Sequence, residues 1–248
     1  MQTPSHKELL DAGCHFGHMK RKWNPKMSPY IFMERKGIHV IDLNRTRESL
    51  EEAGKVLRQM AKSGKKILFV GTKKQGCAIV AEAAKSVNMP YVSDRWLGGM
   101  LTNFSTIRQS IRKMQKTQSM LNDTTLENIT KKERLMMERS HSKLDRVFGG
   151  IAQLNRLPNA LLILDISREH LAVAEATRLN LKTIGIVDTN SDPTKVDFAI
   201  PANDDASKSI SLIINYLTEA IREGLEERNK AKDEKDNREA KTATQEGA

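Results

Sequence analysis

"KILFVGTKKQGCAIVAEAAKSVN", residues 66–88, decides how the rest of the chain is read. Ile67 to Val70 is an unbroken apolar run rather than an alternation, so the strand it predicts is covered on both faces. Gly71 ends the run, and a helical stretch follows to about Asn88. A strand buried on both faces and followed at once by a helix is the unit of a parallel sheet. The unit recurs downstream. "ALLILDI" (160–166) is a second buried strand, followed by a helix from about Glu169 to Asn180. "TIGIVD" (183–188) and the shorter "VDFAIP" (196–201), stopped by Pro201, are strands, and a last helix starts near Ala206 and runs through the 220s. "YVSD" (91–94) reads as one short strand more. The alternation predicts an α/β domain whose parallel sheet carries helices on both faces.

On the N-terminal side, Ser5 and Glu8 make a capping box before Leu9, and Gly13 ends the short helix they start. Residues 14–29 hold two Pro, one Gly and no period, and read as loop. "YIFMERKGIHVIDL" (30–43) reads as a hairpin turning at Lys36-Gly37. Asn44 or Thr46 should cap a helix to about Lys62, with Leu50, Ala53, Leu57 and Met60 on its inner face.

Residues 104–148 contain no strand candidate. Phe104, Ile107, Ile111, Met114 and Leu121 form a narrow stripe, the pattern of a coiled-coil seam. "NDTTLENIT" (122–130) is the expected turn, and Thr130 with Glu133 makes a second capping box. Met137, Leu144 and Val147 or Phe148 return along a second seam, ended by Gly149-Gly150. The expected organisation is a discontinuous globular domain (1–102 and 149–228), an inserted, protruding αα-hairpin (103–148), and a charged, disordered tail (229–248).

The chain has 248 residues and a formal net charge of +10. That balance suits a polyanionic partner. From Arg222 onward seven basic residues face eight acidic ones, so the excess lies upstream of the tail. Two cysteines make no disulfide framework, and no apolar stretch approaches the roughly 20 residues of a membrane span. No apolar signal core follows the N-terminus, so a cytosolic location is expected.

Enzyme and metal motifs compete with ordinary turn chemistry. "VGTKKQGCA" (70–78) has the G-x-x-x-x-G frame of a phosphate loop, but Cys77 and Ala78 stand where Lys and Ser or Thr belong. Asp188, Asp192, Asp204, Asp205 and His170 fall near strand ends, yet no nucleophile stands at a recognisable spacing from a base. "CHFGHM" (14–19) offers Cys14, His15 and His18 without a second cluster to complete four ligands. A nucleotide- or metal-dependent enzyme on a Rossmann-like scaffold is the rival this leaves.

Positive charge is the more consistent signal. "KRKWNPK" (20–26) sets Lys20, Arg21, Lys22 and Lys26 in a Pro-containing loop without one acid, with Trp23 either stacking or pinning the loop. Arg35 and Lys36 at the hairpin turn, Lys73 and Lys74 after the first strand, and Arg95, Trp96 and Asn103 before the inserted helix extend the set. Arg108, Arg112 and Lys113 load that helix, and residues 104–148 carry ten basic against five acidic residues. Aromatics are only 4% of the chain, too few for a single-strand binder built on stacking, so recognition should run through phosphates and shape.

"HFGH", "WNPKM", "ILFVGTKK", "RWLGGMLTNF", "KKE", "LPNALLILD", "IVDTNSDP" and "IPANDDA" occur in this order over about residues 5–225. Together they resemble the bacterial small-subunit ribosomal protein two family. The resemblance implies a flavodoxin-like or Rossmann-like domain with a protruding helical hairpin, no catalysis, and a place in the cytoplasmic ribosome. It implies binding to small-subunit rRNA between head and body, and contact with neighbouring ribosomal proteins. Among these is ribosomal protein one, which captures mRNA. No cofactor is required and no homo-oligomer is expected. The resemblance also implies a metal, zinc or magnesium, at His18, Asp188, Asp204 and Asp205. Cys14 stands where an apolar residue is usual, which argues against its being a ligand.

Overall fold

The computed structural model describes residues 3–122 and 130–246, with side chains to residue 232. Two sheets organise it. The larger is parallel and holds β4 (Ile67–Val70), β5 (Tyr91–Val92), β6 (Ala160–Ile163), β7 (Lys182–Val187) and β8 (Phe198–Pro201). Its spatial order is β5-β4-β6-β7-β8. Counted along the chain, the first strand lies inside the second and the rest follow outward, the flavodoxin-like order. Sequence periodicity predicts the strands but not this order.

Alternate residues of each strand feed two cores. Ile67, Phe69, Leu162, Ile184 and Ile186 pack under α2 (Leu43–Lys62), α3 (Cys77–Ser86) and α7 (Ser207–Glu246), through Leu50, Leu57, Val80, Ile210 and Leu217. Leu68, Val70, Leu161 and Ile163 pack on the other face under α6 (His170–Arg178). Also in that second core are α4 (Phe104–Asn122) and α5 (Lys131–Phe148), which contribute Ile107, Ile111, Met114 and Phe148. The expected α/β class, with helices on both faces, is what this architecture is.

The smaller sheet is antiparallel, in the order β1-β3-β2, from β1 (Phe16–Met19), β2 (Ile31–Arg35) and β3 (Ile38–Ile41). The β2–β3 turn lies at Lys36-Gly37 as expected, with φ of 54° and 75°, which suits a tight primed turn. The loop expected over 14–29 is corrected. It holds β1 and two short 3-10 helices, Lys20–Lys22 and Pro25–Tyr30. β1 has four residues and a shifted register against β3, so only its long-range pairing reveals it.

Ser5 caps α1 (His6–Asp11) and Thr130 caps α5, each in the reciprocal box with the Glu three residues on. Asp42, rather than Asn44 or Thr46, caps α2 by accepting from the Asn44 N–H at 2.9 Å. Thr46 is buried, and its hydroxyl donates to the Pro201 carbonyl at 2.6 Å.

α4 and α5 pack on one another, and the turn expected between them falls largely on 123–129, outside the described residues. The helix expected to end in the 220s continues to Glu246, through the tail expected to be disordered. Glu, Lys, Arg and Ala are good helix formers, and opposite charges spaced along a helix support it without any apolar face.

Candidate nucleic-acid interface and acidic cluster

Residues 20–26 are held from beneath. The Asn24 N–H donates to the Thr189 carbonyl at 2.8 Å, and Asn24 Oδ1 accepts from the Lys26 N–H at 3.0 Å. Met27 is fully buried under the loop. The side chains of Lys20, Arg21, Lys22 and Lys26 are exposed. Lys20 Nζ lies 2.7 Å from Glu34, and Lys26 Nζ 2.8 Å from Asp192. Among the described residues Arg21 and Lys22 pair with no carboxylate, so their charge faces outward uncompensated. Trp23 is 37% exposed, with its ring centroid 5.2 Å from that of His39, which pins it to β3.

The remaining basic candidates divide. Arg35, Lys36, Lys74, Arg95, Arg112 and Lys113 are exposed. Arg108 spends its guanidinium on Asn155, donating to the carbonyl at 2.9 Å and to Oδ1 at 3.2 Å. Asn103 precedes α4, and its Oδ1 accepts from the Thr106 hydroxyl at 2.9 Å. Two expectations fail. Trp96 is 6% exposed and donates Nε1–H to Glu175 at 3.1 Å, so it is a core residue. Lys73 turns inward, drawn by three carboxylates that the sequence places far from it.

Those carboxylates converge at the carboxyl ends of the parallel strands. Lys73 follows β4, Asp165 follows β6, Asp188 follows β7, and Asp204 and Asp205 follow β8. Lys73 Nζ lies 2.7 Å from Asp204, 2.7 Å from Asp205 and 3.5 Å from Asp165. Burial opposes the ammonium, but its hydrogen bonds to Asp204 and Asp205 outweigh that and raise its pKa above the usual lysine value. Burial, then the charges of Asp165 and Asp188, push Asp204 up to about 7 against the pull of Lys73. Asp205 goes the other way: burial opposes its ionisation, but Lys73 holds it low.

β1 closes the cluster from above. The His18 N–H donates to Thr189 Oγ1 at 2.8 Å, and a side chain at Gly17 would strike Thr189, its Cβ 2.6 Å from Cγ2. His18 Nδ1 lies 3.0 Å from Asp188, and Nε2 lies 3.5 Å from Asp205. The Asp188 contact, partly offset by burial, raises the imidazole pKa. Ligand atoms of His18, Asp188 and Asp204 lie within 4.8 Å of one another. His18 Nδ1 is spent on the Asp188 ion pair, whereas Asp204 Oδ2 is buried without a hydrogen-bond partner. So three of the four expected metal residues, His18, Asp188 and Asp204, bring ligand atoms together, while Asp205 stands beside them on His18 Nε2 and Lys73. One imidazole among carboxylates suits zinc better than magnesium, which favours all-oxygen shells.

The phosphate-loop frame does not form an anion site. Its Gly76 and Cys77 N–H groups both donate to the Lys73 carbonyl, at 3.0 and 2.9 Å. A Cβ on Gly76 would lie 2.4 Å from Leu164, so packing requires that glycine. Beside it the Glu169 carboxylate accepts from the Thr72 N–H at 3.0 Å and from the Thr72 hydroxyl. In a sheet of this order the ligand crevice lies between β4 and β6, and here protein side chains fill it. Among the described residues no helix is long and apolar enough to cross a membrane.

The family described as Ribosomal protein S2 matches residues 9–224. The small ribosomal subunit protein uS2 of Bacteroides thetaiotaomicron is 57% identical over 232 residues, covering 94% of this chain and 84% of that protein. The uS2 protein of Cytophaga hutchinsonii is 52% identical over 242 residues, covering 96% of this chain and 95% of that protein. That of Porphyromonas gingivalis ATCC 33277 is 54% identical over 232 residues, covering 94% and 83%. A family match across most of the chain, on a sheet of flavodoxin-like order, leaves one assignment: the protein belongs to the ribosomal protein S2 family.

Proposed function

We propose that the protein is a structural component of the small ribosomal subunit, without catalysis, and that it binds small-subunit rRNA through one basic surface. The single observation that carries the RNA reading is Arg21 and Lys22: outward-facing, unpaired with acid, on a loop pinned from below by Asn24 and Met27. Cations held on a fixed support meet phosphates with little ordering cost. Arg112 and Lys113, exposed on α4, extend the surface onto the arm 103–148, which the body 1–102 and 149–228 carries. Membership of the family places the protein in the cytoplasm with other ribosomal proteins as neighbours. Ribosomal protein one is the proposed partner where it is present, and the protein acts there as a single copy. His18, Asp188 and Asp204, with Asp205 beside them, would hold zinc as a structural ion. The rival reading as an enzyme is set aside by the family and by the filled crevice.

The test is salt-dependent binding to small-subunit rRNA. Replacing Arg21 and Lys22 together by Ala should weaken binding at every salt concentration. It should also reduce the slope of log K against log salt by about one for each phosphate no longer neutralised. An unchanged slope and unchanged incorporation into small subunits would remove residues 20–26 from the interface.

A further inference from the structure

The carboxylate of Glu175, on α6, collects five hydrogen bonds from one loop. Oε1 accepts from Trp96 Nε1–H at 3.1 Å and from the Gly99 N–H at 2.8 Å. Oε2 accepts from the Leu101 N–H at 2.9 Å, the Thr102 N–H at 3.0 Å and the Thr102 hydroxyl at 3.1 Å. Three backbone N–H groups converging within four residues form an anion nest, and Gly99, at φ +89°, supplies the left-handed turn that aims them. The nest is filled from within the protein. Burial opposes the charge on Glu175, but these donors outweigh it and hold its pKa below the usual glutamate value. One residue beyond the nest stands Asn103, whose N–H donates to the Gly99 carbonyl at 2.9 Å, and α4 begins at Phe104.

We propose that Glu175 is the positioning residue of the arm: its carboxylate, clasped by residues 96–102, sets the direction in which α4 leaves the globular body. This rests on the reading of α4 as an RNA-facing element. The far end of the arm root is fixed by other means. A Cβ on Gly150 would lie 2.2 Å from the Tyr91 carbonyl, and Arg146 pairs with Asp94 at 3.2 Å. Among the described residues, only the Glu175 clasp ties the start of α4 to α6 through a charge. α4 has 19 residues and is therefore about 28 Å long, so a root tilt of about 10° moves its tip by about 5 Å. Arg112 and Lys113, no more than halfway along α4, would move by about 2 Å, still more than a hydrogen bond tolerates, and so leave their phosphates.

The full-length chain carrying Glu175→Gln tests this, because one amide NH₂ must then face donors. Amide exchange at Gly99, Leu101 and Thr102 should accelerate about tenfold or more, while β4, β6 and β7 keep their protection. Spin labels at Lys116→Cys and Lys62→Cys, with Cys77→Ser to remove the accessible thiol, should report a broadened distance distribution. In Glu175→Ala, sodium acetate should refill the nest and narrow that distribution again. Three results overturn the clasp: an unbroadened distribution in Glu175→Gln, exchange that rises equally in the central strands, or no narrowing by acetate. Affinity for rRNA is read separately. A broadened arm with unchanged affinity keeps the clasp and removes α4 from the RNA surface, so the two readings fail independently.

Discussion

Replacing Lys73 by Met should destabilise the protein in a way that grows with pH. The ammonium is 12% exposed and touches Asp204, which is 1% exposed, and Asp205, which is 52% exposed. Asp205 can turn to water, so its loss counts for little. Asp204 cannot. Stranding a buried carboxylate by removing its partner costs about 3–5 kcal/mol. Part of that is avoided by protonation, because Asp204 already sits at about 7 and rises further once Lys73 no longer opposes Asp165 and Asp188. The sign follows from linkage. The folded pKa of Asp204 lies above its unfolded value, so between them the native state binds more protons and stability falls as pH rises. In the variant that fall extends to higher pH. The expected loss is therefore about 3 kcal/mol near pH 8 and about 1 kcal/mol near pH 5.5, where Asp204 is protonated in both proteins. Urea unfolding across that range measures it. A loss below about 1 kcal/mol near pH 8, or one equally large near pH 5.5, would refute the buried pairing. The same variant should leave the salt slope of RNA binding unchanged, since Lys73 does not face outward.

Further tests draw on the same structural features. Gly150→Ala forces a Cβ to within 2.2 Å of the Tyr91 carbonyl, which cannot move without breaking β5, and should cost at least about 2 kcal/mol by thermal unfolding; a stability equal to the parent's refutes that approach. Zinc added to metal-free protein should raise Tm, and His18→Ala should abolish the shift; a shift retained in that variant places the ion elsewhere. In the unsubstituted protein the Asp204 contribution to stability should decline from the unfolded carboxylate pKa up to about pH 7 and then level off; Asp204→Asn should flatten that part of the profile, and a profile unaltered by it assigns the decline to another group.

The strands were legible because burial on both faces leaves no alternation to misread, as Ile67–Val70 and Ala160–Ile163 show. The capping box at Thr130 was legible because both partners lie within one turn. Failures at the site share one cause: the deciding partner is distant in sequence. Lys73 reads as a surface lysine in a turn until β6 and β8 bring Asp165 and Asp204 beside it. Trp96 reads as a member of the RNA-facing set until Glu175 claims its indole. Glu175 itself had no signal, since an acid on an amphipathic helix is the ordinary solvated pattern. The grouping of His18 with Asp188 and Asp204 is implied by family resemblance alone, and no spacing in the chain announces it.

How an enzyme-like scaffold serves without chemistry is answered at the carboxyl edge of the sheet. A parallel sheet of this order exposes strand ends and helix N-termini at one crevice, which is where such folds take phosphates and substrates. Here each attraction is met internally. The Gly76 and Cys77 N–H groups at the start of α3 turn to the Lys73 carbonyl, Thr72 turns to Glu169, and the Lys73 ammonium takes the carboxylates of Asp204 and Asp205. β1 then lies across the edge through His18 and Thr189. A charge spent on an internal partner is unavailable to a ligand, so the crevice becomes a joint that fastens the small antiparallel sheet to the large one. The charge left over stands on the outside of that joint, on Arg21 and Lys22, where the proposed function has it meet rRNA phosphates. Tightening the crevice and presenting the basic loop are thus one arrangement: Thr189, which holds β1 by its hydroxyl, also anchors residue 24 of the loop by its carbonyl.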